Sequence, residues 1–133
     1  MTESFTAEER AAIKERAKET RRKVNGETDL LEKIAEMDGG DRAMAERIHA
    51  IVTEVAPELE PKTWYGQPAW AKDGKVVVFF QASSKFKTRY ATLGFNDVAM
   101  IDDGSMWPTA FALTGLTAAD EKRIGELVRK AVS

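Results

Sequence analysis

The stretch from Trp64 to Phe95, WYGQPAWAKDGKVVVFFQASSKFKTRYATLGF, decides the fold. It holds most of the aromatic residues and the only obvious strand patterning of the chain. Asp73-Gly74 near its centre is a two-residue hairpin signal, because a type I′ turn needs two consecutive residues at positive φ. Before it, Pro68 to Lys72 reads as a short strand, with Pro68 confined to its start or to a sheet edge. After it, KVVVFFQA (75–82) is apolar on both faces for five residues. That predicts a central strand covered on both sides, or covered on one side with a binding surface on the other. Ser83-Ser84-Lys85 reads as a turn. Residues 86–95 then alternate, with Phe86, Thr88, Tyr90 and Thr92 on one side and Lys87, Arg89, Ala91 and Leu93 on the other, and predict the next strand.

N-terminal to this stretch the pattern is helical. Thr6 and Glu9 have capping-box spacing, followed by strong helix formers with a thin apolar side of Ala12, Ile13 and Ala17, with Phe5 and Val24 at the ends. Asn25-Gly26 predicts a left-handed stop there. A short second helix is expected from Thr28 or Asp29 to Met37, broken by Asp38-Gly39-Gly40. A core helix follows, with Met44, Ile48, Ile51, Val52 and Val55 inward, ending before Pro57. Glu58 to Lys62 reads as a polar connector. Beyond the central stretch, Asn96 or Asp97 is expected to start a turn of helix, 109–114 a fourth strand, and Thr117 with Asp120 the last helix. Helices, then strands, then a helix predict an α+β class: a small antiparallel sheet of about four strands flanked by N-terminal helices and a C-terminal helix. The strand connections are too short for parallel crossovers. The division expected is an N-terminal helical extension over 1–26 and an α+β domain over 27–133.

The 133 residues suffice for one cored domain without covalent staples. The chain has no cysteine, which excludes disulfides, thiolate metal sites and cysteine nucleophiles. Net charge is −2, which argues against a general polyanion binder. Residues 1–26 carry a net +2 and the remainder a net −4. Lys14, Lys18, Arg21 and Arg22 lie among Glu15 and Glu19, so they read as a solvated mixed-charge face. The first residues lack the apolar run of a signal peptide, and no apolar window approaches the ~20 residues that span a bilayer. A cytoplasmic protein without membrane or nucleic-acid partners is expected.

Few residues are placed for chemistry. His49 is the only histidine, and no metal-ligand spacing surrounds it. No serine sits in a nucleophile elbow, and the glycine pairs lack phosphate-loop spacing. Asp102-Asp103-Gly104 begins like a calcium loop, but Leu113 stands where the twelfth-position acid would be. The carboxylates Asp29, Glu32 and Glu36, and Asp97, Asp102 and Asp103, read as solvated sets. The aromatic group is the most informative: most of it must build core. Trp64, Tyr65, Gln67, Trp70 and Phe80 could also line an apolar groove with a few placed polar groups. Lys85, Lys87 and Arg89 could supply positive charge for an anionic ligand, and Arg89 joins the candidate ligand-binding residues.

The segment Trp64-Tyr65-Gly66-Gln67-Pro68-Ala69-Trp70, followed by the patterned sheet, the acidic DDG loop, MWPTAFAL and a closing amphipathic helix, resembles the YdhG-like bacterial domain-of-unknown-function family over roughly residues 27–132. The resemblance implies a small α+β domain. Some members of that family are labelled frataxin-like intracellular iron chaperones, which implies weak, labile iron binding and no other cofactor. No metal ligands come with it. The expectation is a non-enzymatic binding domain. The alternatives are a protein-interaction module, or an enzyme acting on a small anionic metabolite through Arg89, Lys85 and an acid such as Asp97.

Overall fold

The computed structural model describes residues 6–133. Phe5, expected at the start of the first helix's apolar side, lies outside the described residues. The elements run α1 (Ala7–Ala35), α2 (Gly39–Val55), β1 (Glu60–Trp64), β2 (Gln67–Lys72), β3 (Lys75–Gln81), α3 (Ser83–Phe86), β4 (Ala91–Phe95), β5 (Ala110–Leu113) and α4 (Ala118–Ala131). The five strands form one antiparallel sheet in the order β1-β2-β3-β4-β5, so each strand pairs with its neighbour in sequence. The class is α+β.

Local chemistry starts and stops several elements as the sequence predicts. Thr6 and Glu9 form a reciprocal capping box at α1, and Thr117 and Asp120 form another at α4. Asp73 and Gly74 take φ of 52° and 79° and close the β2–β3 hairpin as a type I′ turn. The β2–β3 register begins at Ala69, so the missing N–H of Pro68 interrupts no pairing.

Asn25-Gly26 does not stop a helix. One helix of 29 residues runs unbroken through it, replacing the two expected. The glycine serves packing: a Cβ at Gly26 would lie 2.1 Å from the carbonyl oxygen of Pro61. The helix backbone therefore rests directly on β1. That strand falls in the expected polar connector and is a fifth strand. Its Pro61 is tolerated because β1 is an edge.

The expected strand over 86–95 is only half strand. Ser83–Phe86 is a single helical turn, Lys87 is left-handed at φ 53°, and pairing starts at Ala91. Lys87 and Arg89 thus lie in a loop and not on a sheet face. Residues 96–99 form a turn, closed by the Ala99 N–H donating to the Asn96 carbonyl, in place of the expected helical turn.

The helices cover one face of the sheet. Trp70, Val78, Phe80 and Leu93 from the strands meet Leu30 and Ile34 of α1, Ile48 and Val52 of α2 and Val128 of α4 in one core. A bulge between Trp70 and Ala71 explains the apolar run of β3. It lets Val77 and Val78 both join this core, while Val76 joins Ala69 and Ala71 in a smaller cluster against which Trp64 and Phe79 pack. Phe79 lies over Gly94, where a Cβ would come within 2.2 Å of the ring. The Trp64 and Phe79 rings stand 5.1 Å apart.

Candidate functional site

A cleft of about 450 Å³ opens where α1 ends, α2 begins and β3 turns into α3. Three sequence features create it. The Asp38-Gly39-Gly40 break separates the two helices. The Tyr65-Gly66 turn, at φ 53° and 74°, joins β1 to β2. The short α3 folds back beside them. Met37, Pro68, Phe80 and Ala82 supply apolar lining. Lys33, Glu36, Asp38, Gln67, Ser84 and Lys85 supply polar lining, with two cations against two carboxylates.

Each polar group is placed by its element. Lys33 and Glu36 come from the last turn of α1 and stand 3.7 Å apart as an exposed ion pair. Lys85 reaches across the Tyr65-Gly66 turn, since a Cβ on Gly66 would sit 2.7 Å from its Nζ. Gln67 lines the cleft, and its side-chain Oε1 is buried without a hydrogen-bond partner among the described residues. An acceptor left in this state costs roughly 1–3 kcal/mol.

Behind the cleft a polar lock holds the geometry. Asp41, in the first turn of α2, is buried. Its carboxylate accepts from Ser83 Oγ at 2.9 Å, Ser84 Oγ at 3.0 Å and the Ser84 backbone N–H at 3.1 Å. Burial pushes the carboxyl up, but the hydrogen bonds from Ser84 and Ser83 outweigh it and hold it below its usual range. The turn read at Ser83-Ser84 is thus also a clamp fixing α3 to α2.

The structure divides the sequence-derived candidates. Gln67 and Phe80 lie together at the base of the cleft, Phe80 as a fully buried core side chain. Trp70 is fully buried in the core, and its Nε1–H donates to His49 Nδ1 at 3.1 Å. His49 Nδ1 is therefore the acceptor, and Nε2 carries the proton that faces Glu27 Oε2 at 2.9 Å. This Trp–His–Glu chain ties β2, α2 and α1 together and accounts for the lone histidine structurally. Trp64 packs on the small cluster on the other face of the sheet. Tyr65, 80% exposed, sits edge-on to Trp64 at the turn. Arg89 lies over the Tyr90 ring in the α3–β4 loop. Lys85 lines the cleft, whereas Asp97 lines a separate depression with Lys62, Trp64 and Asn96. The trio Arg89, Lys85 and Asp97 is not gathered around one cavity.

Lys33, Glu36, Met37 and Asp38 were not among the sequence candidates, because they read as the end of a short helix. The Asp38-Gly39-Gly40 break was the signal: a chain reversal beside a sheet leaves room at the helix end. Among the described residues no group of three or more His, Asp or Glu converges in a way that could hold a metal ion. No helix there is long and apolar enough to cross a membrane. Comparison with protein-family models, with curated proteins and with solved structures gave no match.

Proposed function

We propose that this protein is a non-enzymatic binding domain whose ligand is a small molecule with an apolar body and a polar or anionic head. The observation that carries the reading is the cleft itself. It sets Met37, over the buried Phe80 and Pro68, beside Lys33, Lys85 and Gln67. Ligand sites combine apolar walls with polar groups that fix orientation, and this cleft brings both together, with polar residues outnumbering apolar ones. In this reading Met37 takes the apolar body and Lys85 takes the head. A cytoplasmic setting belongs to the same proposal.

The experiment is an amide chemical-shift screen with small carboxylates and phosphates bearing apolar groups. Shifts at Lys33, Met37, Gly66 and Lys85, lost in Lys85→Glu, are expected. Shifts scattered over the surface, or none at millimolar ligand, would sink the reading. The iron-donor role rests on the YdhG-like resemblance alone. Titration with Fe(II) under anaerobic conditions tests it: absence of broadening at any carboxylate residue at millimolar metal removes it.

A further inference from the structure

The first half of α1 has no contact partner for its apolar residues. Residues 6–25 are exposed without exception. The large apolar residues left exposed on this helix are Ile13 at 49%, Val24 at 59% and Leu31 at 47%. They fall on one line. Eleven residues separate Ile13 from Val24, and seven separate Val24 from Leu31. At 3.6 residues per turn, both steps return to within about 20° of the same face. Ala17 and Thr20 fill the gap, completing alternating steps of four and three, the spacing of a coiled-coil seam. The seam is about 27 Å long. It lies about 60–140° around α1 from Ile34, Leu30 and Gly26, beside the side of the helix that meets the domain. Glu27, between Val24 and Leu31, is turned to His49.

The charges beside the seam are of one sign over its middle. Lys14 and Arg21 flank it on one side, and Arg16 and Lys23 on the other. Lys23 is tied to the Pro57 carbonyl at 2.6 Å. Lys14 and Arg16 have no ion-pair partner among the described residues, and neither has Arg21. Glu15 and Glu19 lie about 120–160° around the helix from the seam, Glu19 at three- and four-residue spacing from Arg16 and Lys23 but within ion-pair distance of neither. Glu9 stands at the N-terminal end, bonded to the Thr6 N–H. Two copies joined through this seam, parallel or antiparallel, would set these cations against one another, which is the arrangement that disfavours pairing. The seam is also only a coiled-coil strip wide, and no aromatic residue lies on it among the described residues, unlike a helix that enters a lipid surface.

We propose that the outward seam of α1 docks an acidic amphipathic helix of another protein. The partner's apolar stripe covers Ile13, Val24 and Leu31, and its carboxylates meet Lys14, Arg16 and Arg21. The proposal does not rest on the cleft reading.

The test titrates the full chain into a labelled peptide of about four heptads with Leu at a and d and Glu at e and g, whose glutamates oppose its own self-pairing. Saturable binding that weakens with salt is expected. Ile13→Asp with Val24→Asp, both surface changes whose fold is checked by circular dichroism, should weaken it at least about tenfold. Lys14→Glu with Arg21→Glu should lose the acidic peptide and gain its Lys-flanked counterpart. No binding, or equal binding of acidic and basic peptides, overturns the proposal. So does a dimer mass at micromolar concentration without peptide, or tighter capture by phosphatidylserine vesicles than by the peptide.

Discussion

The two halves of α1 are one helix by hydrogen bonding and two structures by packing. From Gly26 onward the helix lies on β1 and buries Leu30 and Ile34. Before it, every residue of the same helix from Thr6 on is exposed, and Arg22 and Lys23 reach Glu60 and the Pro57 carbonyl through their side-chain tips. Propensity does not explain docking, because the strong helix formers Ala, Glu, Lys and Arg concentrate in the undocked half, while the docked half contains Gly26, Thr28 and Asp29. Apolar volume and one missing Cβ do. The first half offers Ile13, Ala17 and Val24, all exposed, where the second buries Leu30 and Ile34, and Gly26 marks where backbone contact begins. Helix continuity is therefore a local property here, while docking is a property of a few side chains.

Four changes would break or sharpen that contrast, from the largest effect down. Ile34→Ala opens a cavity under the docked half and should cost roughly 3 kcal/mol in urea unfolding. A loss below about 1 kcal/mol would mean that α1 contributes little to the core. Gly26→Ala forces a methyl against the Pro61 carbonyl and should cost roughly 2 kcal/mol, with the amides of β1 exchanging faster. Unchanged stability would show that Gly26 was a helix-end residue after all.

Asp41→Asn removes the charged acceptor from the α2–α3 lock and should cost roughly 1.5 kcal/mol at neutral pH. The folded-state pKa of Asp41 is lowered. Its stabilisation is therefore complete above the unfolded value near pH 4 and is lost as pH falls through the lower folded value. The stability gap between wild type and variant should shrink as unfolding is measured into that acid range. A gap independent of pH would disprove the charged lock. Ile13→Ala, on the projecting half, should stay within about 0.5 kcal/mol of wild type. A larger loss would mean that the arm packs on something in the free protein.

Much of the fold was legible in the sequence because it rests on short-range chemistry. Thr6 with Glu9, Thr117 with Asp120, and Asp73-Gly74 each name an element boundary through hydrogen bonds or φ requirements within a few residues. The spacing of Met44, Ile48, Ile51 and Val52 likewise fixed the core face of α2. The misread parts depend on distant contacts. Gly26 carries the same letter whether it ends a helix or admits a strand, and only Pro61 decides. β1 reads as a connector because Glu60, Pro61 and Lys62 suit an edge strand that a helix covers. Lys87 gives no local sign of its left-handed conformation, so the strand after it was drawn too long. For the candidate site, Gln67 and Phe80 were found through the aromatic segment. Their cleft partners Lys33 and Asp38 come from about thirty to fifty residues earlier and meet them only in three dimensions.

The order of the sheet bears on how the chain folds. Because every strand pairs with the next one in sequence, two-residue turns close β1 on β2 and β2 on β3, and neither hairpin needs a large loop to be ordered first. The β3–β4 connection is longer, and the stretch from Asn96 to Thr109 before β5 is the longest between paired strands. Contacts of small sequence separation form early, and those across long loops form late. The three-stranded unit around Tyr65-Gly66 and Asp73-Gly74 is thus the expected nucleus. Destabilising changes there, such as Gly74→Val, should slow refolding, whereas changes in β5 such as Phe111→Ala should mainly speed unfolding.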